Sequence, residues 1–188
     1  MTSTIDATPA THTVTRTYDD YRALFAGHRM PFAYVDLDLL DANISQALKR
    51  AGAKHIRLAS KSIRSVALLR HIFAADARFQ GIMCYTAREA AWLASQGFDD
   101  LLLGYPTWHA ADVAAVAEQV RAGKRITFMV DSLEQVAHLA ELAQRFGVRH
   151  SVCIEVDCSI DVPGLHFGVW RSPLRTPAAV RPIAERIL

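Results

Sequence analysis

The chain has 188 residues, 51% of them hydrophobic and 21% charged, with a formal net charge of +2. That balance suits a soluble globular core, and with no long run of one sign it argues against a nucleic-acid surface or a polybasic membrane anchor. No stretch approaches ~18 consecutive apolar residues, and residues 1–20 lack the apolar centre of a secretory signal, so no membrane partner is expected.

Residues 1–16 are polar and Thr-rich and are expected to form a disordered tail, with the folded part over 17–188. From residue 30 onward, apolar runs alternate with helical patterns. The runs are "FAYVD" (32–36), "IRLAS" (56–60), "GIMCY" (81–85), "LLLGY" (101–105), "ITFMV" (126–130) and "SVCIEV" (151–156). Their nearly continuous hydrophobicity predicts strands buried on both faces of a parallel sheet. Between them lie helix signals. Thr86 with Glu89, and Asp131 with Glu134, have capping-box spacing. Leu133, Val136, Ala137, Ala140 and Ala143 form one apolar stripe. Gly52, Gly97, Gly123 and Gly147 stand where helices should end, and Arg50, Arg121 and Arg145 precede three of them.

About six strand–helix units predict an α/β fold. No G-x-G-x-x-G follows the first run, which weakens a dinucleotide-binding open sheet. The alternative is a partial (β/α)8 barrel that breaks off in the helix "TPAAVRPIAERIL", with its last strands missing. The cysteines, Cys84, Cys153 and Cys158, form no C-x-x-C pair. This argues against a disulfide scaffold and a structural zinc site, and it suits reduced thiols in a cytoplasmic protein.

In a barrel the active site gathers at the C-terminal ends of the strands. That layer reads Asp36 and Asp38, Lys61 and Ser62, Tyr85 and Thr86, Tyr105, Thr107 and His109, Asp131 and Ser132, Asp157 and Cys158. Thr86, Asp131 and Ser132 suit helix caps, and Ser62 suits a cap for a helix starting near Ile63. Arg64 would then fall in the first turn, where the helix dipole disfavours a cation, so an anion is its natural partner. Lys61 follows an apolar strand and sits among small residues. Partial desolvation and a nearby Arg64 would both free its amine as a nucleophile toward carbonyls. Asp157 and Asp161 are a weak pair for a metal, and no metal site is assigned.

The series "PFAYVDLDLLDANI", "RLASKSIRS", "YTAREAAWLASQGFDDLLLGYP", "FMVDSLEQVAHLAEL" and "IEVDCSIDVPGLHFGV" resembles the N-terminal barrel of the alanine racemase type, fold-type III pyridoxal-phosphate enzymes. It is most similar to the D-threonine aldolase, D-serine dehydratase and amino acid deaminase/aldolase branch. The resemblance runs from about residue 20 to the end. It implies that Lys61 holds pyridoxal 5'-phosphate as an internal aldimine, with Asp36, Arg64 and His166 in the cofactor site. His166 stands where the family usually has an arginine approaching the cofactor's 3-oxygen. It further implies a D-amino or β-hydroxy amino acid substrate, a homodimer at full length, and a second domain, absent here, that carries a divalent metal. The glycine-rich phosphate cup would belong to the missing strands. Two other readings are a non-catalytic pyridoxal-phosphate carrier on the same barrel, and an inactive fragment.

Overall fold

A computed structural model of the chain describes residues 15–188. The tail expected over 1–16 therefore lies outside the described residues apart from Thr15 and Arg16. The chain divides into two compact units, a first ending at Lys54 and a second spanning His55–Leu188.

The first unit holds helices α1 (Tyr18–Leu24) and α2 (Leu37–Ala51). A reciprocal Thr17–Asp20 capping box starts α1. Asp36 caps α2, one oxygen accepting from Asp38 N and Leu39 N. The run 32–36, expected as a strand, carries no ladder. A strand needs a hydrogen-bonded neighbour. Here the rings of Tyr21, Phe25, Phe32 and Tyr34 hold the segment, with Phe25 and Tyr34 centroids 4.4 Å apart.

The second unit alternates β1 (Ile56–Ala59), α3 (Val66–Ala75), β2 (Phe79–Cys84), α4 (Ala87–Ser95), β3 (Leu101–Leu103), α5 (Ala110–Arg121), β4 (Ile126–Val130), α6 (Leu133–Phe146) and β5 (Ser151–Ile154). A hairpin of β6 (Ile160–Val162) and β7 (Leu165–Phe167) follows, and then α7 (Pro177–Ile187). The sheet order is β1-β2-β3-β4-β5, all parallel. Sequential order without a reversal is the winding of a (β/α) barrel, not of a doubly wound sheet. The sheet is thus an arc of the expected barrel.

Register separates the two faces of this arc. Leu58, Ile82, Leu101 and Ile126 stand side by side and are all buried. Removing each from water is worth roughly 2 kcal/mol. The opposite row, Ala59, Met83, Leu102 and Thr127, is half-open, and Met83 is 40% exposed. Burial on both faces, as expected from the oily runs, therefore fails for this row. The sequence marks apolarity, whereas burial also needs a layer on each side.

The helix ends follow the sequence signals. Gly52, Gly97, Gly123 and Gly147 all have positive φ, the region glycine adopts without a Cβ clash. Two helix starts are displaced. Ser65, not Ser62, caps α3, because Ser62 N and Ile63 N both turn back onto Ala59 O. Arg64 therefore precedes the cap and lies outside the first turn. Ser132, not Asp131, caps α6, with Gln135 closing back onto Asp131 N at 2.7 Å. The buried face of α6 is Val136, Leu139 and Leu142, while Leu133 and Ala137 stay exposed. Burying the larger leucines removes more apolar surface than burying the alanine stripe.

Candidate active site

The layer beyond the C-terminal ends of β1, β2 and β3 is stitched together by Glu89. Thr86 caps α4 by accepting from Glu89 N at 3.1 Å. The expected return bond to Thr86 does not form. The Glu89 carboxylate instead accepts from Tyr85 N at 2.7 Å and meets the Ser60 hydroxyl at 2.9 Å. Ser60 is buried, and its N–H donates to Met83 O at 2.9 Å. One carboxylate thus fixes the ends of both β1 and β2.

Lys61 emerges from this anchored point. It is exposed, so the partial desolvation expected from its apolar flanks is not found. The reason is local: the strand ends at Ala59, Ser60 is the residue buried beyond it, and Lys61 follows in the turn on the exposed side. Its Nζ donates to Tyr105 Oη at 3.2 Å. Tyr85 meets the Tyr105 ring edge-on, with centroids 5.3 Å apart at 79°. The Arg171 guanidinium lies over the Tyr105 ring, 4.8 Å from its centroid. Arg171 is itself fixed, its Nε donating to Glu155 Oε1 at 2.6 Å and its Nη2 to Gly104 O at 2.7 Å. The hydrogen bond from Lys61, with the charges of Lys61 and Arg171, pulls the Tyr105 phenol below its ordinary range.

A cavity of about 230 Å³ opens beside Lys61, lined among others by Ser60, Arg64, Tyr85, Glu89 and Trp92. Lys61 and Arg64 are therefore brought to one cavity, with aromatic walls. A second of about 260 Å³ lies across Tyr85 and Tyr105, toward Thr107, Trp108, His109 and Asp112.

The other expected residues have different surroundings. Both oxygens of Asp36 are committed within the first unit: one caps α2, and the other takes Tyr21 Oη at 2.6 Å and an Arg16 nitrogen. His166 lies on β7, with Nδ1 2.5 Å from Asp161 Oδ1 and its ring 4.0 Å from that of Trp170. Its Nε2 is buried without a protein partner. Asp157 is buried and accepts from Ser159 N at 2.9 Å, while Arg175 bridges to Asp161 at 2.7 Å. Among the described residues no group of three or more His, Cys, Asp or Glu side chains could hold a metal ion. No helix among them is long and apolar enough to cross a membrane.

Glu89, Glu155 and Arg171 were not anticipated as site residues. Glu89 looks like an ordinary capping glutamate in sequence. Arg171 lies 67 residues from Gly104, whose carbonyl it meets, and no local pattern signals such a contact.

Comparison with known proteins places these features in context. The family model described as "Alanine racemase, N-terminal domain" matches residues 35–182. A 3-hydroxy-D-aspartate aldolase from Paracoccus denitrificans (strain Pd 1222) is 27% identical over 158 residues, covering 82% of this chain and 38% of that protein. The structure of D-threonine aldolase from Filomicrobium marinum superposes with a TM-score of 0.65 at 23% identity, covering 83% of this chain and 40% of that one. D-threo-3-hydroxyaspartate dehydratase from Delftia sp. HT23 gives a TM-score of 0.61 at 25% identity, covering 68% and 34%. The chain thus spans less than half the length of each of these relatives.

Proposed function

Because the chain belongs to the alanine racemase N-terminal domain family, matched over residues 35–182, we propose that it is the lysine-bearing part of a pyridoxal-phosphate-dependent lyase that acts on D-configured β-hydroxy amino acids. The observation that carries this reading is Lys61: a primary amine at a strand's C-terminal end, hydrogen-bonded at 3.2 Å to Tyr105 and lining a cavity with aromatic walls.

The residues present suit the cofactor's chemistry. Lys61 Nζ would be the nucleophile that holds the cofactor through its aldehyde. Tyr85 and Trp92 offer flat apolar surface to a pyridine ring, and Arg64 in the same cavity offers a cation to its anionic groups. His166 is not among the residues lining this cavity, and its Nδ1 is taken by Asp161, so it is left out of this site. Asp36 is left out of this site and assigned to the start of α2, because both its oxygens are engaged there. When bound, the cofactor supplies an electron sink for charge developing at the substrate Cα.

The substrate class rests on the relatives. The aldolases and the dehydratase named above all take, by their names, a D-amino acid, and threonine and 3-hydroxyaspartate both carry a hydroxyl on the β-carbon. That favours aldol cleavage or dehydration over racemisation. Homodimer formation and a divalent metal belong to the same proposal and concern the whole protein.

The test is to incubate the protein with pyridoxal phosphate and D- or L-β-hydroxy amino acids, following aldehyde release and keto-acid formation separately. Activity confined to the D series and abolished by Lys61→Ala is expected. Full activity in Lys61→Ala would rule the reading out.

A further inference from the structure

Lysine is a rotamer-rich side chain, and an exposed one has no fixed aim unless something holds its end. Lys61 is exposed, yet its nitrogen has a rigid neighbour. The Tyr105 ring is caged by the Tyr85 edge at 5.3 Å and the Arg171 guanidinium at 4.8 Å. Arg171 is fixed in turn by Glu155 and by the carbonyl of Gly104, the residue before Tyr105. The phenol oxygen is thus a fixed point beside the strand end that carries Lys61, and Nζ sits 3.2 Å from it.

We propose that Tyr105 is the positioning residue of Lys61, its caged phenol oxygen holding Nζ in one place so that the amine captures a planar, anionic aldehyde faster than a free lysine does. The inference rests on the function proposed above and adds to it the residue that directs the amine. No bond is made or broken at Tyr105 in this role. The charged groups facing its phenol are Lys61 and Arg171, with Glu155 behind Arg171. Both cations favour the phenolate, in keeping with the lowered phenol.

The experiment compares the chain with its Tyr105→Phe variant, using peptide mapping and two reagents. One is pyridoxal phosphate trapped with borohydride, and the other is a small neutral amine acylating reagent that needs no aim. Loss of one charge-assisted hydrogen bond should slow pyridoxyl labelling at Lys61 about tenfold, with acylation of Lys61 changed by no more than about twofold. Unchanged pyridoxyl labelling overturns the inference. So does a parallel fall with both reagents, which would mean that the phenol supports the loop and not the amine.

A second readout needs no cofactor. Spectroscopic titration of the tyrosines should show Tyr105, identified by its loss in Tyr105→Phe, ionising at higher pH once Lys61→Ala removes its donor. An unmoved titration means that the pair does not form in solution, and this inference fails even if Lys61 still takes the cofactor. Equal pyridoxyl labelling of Lys61, Lys49, Lys54 and Lys124 in the unaltered chain would instead sink the proposed function, whatever the titration shows.

Discussion

Glu89 carries more of the site than its place in a helix's first turn suggests. Its carboxylate satisfies the Tyr85 N–H and the buried Ser60 hydroxyl, the residues flanking the aromatic wall and Lys61. Glu89→Ala should therefore cost about 2 kcal/mol, since two donors lose a charged acceptor. Glu89→Gln keeps a neutral acceptor and should cost about half as much. Urea unfolding of both variants checks this, and equal losses would show that the carboxylate's charge is irrelevant. At this scale the sequence was partly legible. Lys61, Tyr85 and Tyr105 stand at strand ends that the apolar runs locate. Glu89 was legible only as a cap, because its second and third partners come from β1 and β2. Arg171 was not legible, because its role depends on a chain crossing 67 residues away.

Among the elements, β2 contains a glycine that its strand pattern does not explain. Gly81 has φ +73, and a Cβ there would lie 2.6 Å from Asp100 O and against the Arg57 guanidinium. Arg57 crosses the strand at that point to reach Asp100, with Nη2 2.8 Å from Oδ2. Gly81→Ala combines backbone strain with a clash against backbone, so a loss of about 3 kcal/mol or more is expected. A thermal shift below about 2 °C would show that the crossing adapts. Strands β1 to β5 were readable because parallel strands are oily throughout. Residues 32–36 shared that oiliness and were misread, since aromatic packing without a ladder leaves the same trace. The β6–β7 hairpin was missed, although the Pro163–Gly164 turn between Val162 and Leu165 is a standard local signal.

Across the molecule, carboxylates set the response to acid. Hydrogen bonds and ion pairs hold Asp36, Asp157 and Asp161 below their ordinary range, and Arg78 brings Asp76 down to about 2. Between about pH 4 and pH 2 the unfolded chain binds more protons than the folded one, so stability falls as pH falls. Burial also lowers His150, whose ring packs on Phe128. Its contribution is lost in the same direction, beginning below about pH 6.5. The melting temperature should therefore be highest near neutrality, slip below about pH 6.5 and drop steeply below about pH 4. A melting temperature constant down to pH 3 would contradict the linkage. The winding of the sheet was legible because strand and helix signals alternate in strict order. The half-open face was not, because burial depends on the layer above it.

Lys61 is proposed as the amine that holds the cofactor. The most direct measurement is to mix the chain with pyridoxal phosphate, reduce with borohydride and map the modified peptides by mass spectrometry. The account predicts a pyridoxyl group on Lys61 well in excess of that on Lys49, Lys54 or Lys124. Labelling spread evenly over these lysines, or absent from Lys61, would contradict it.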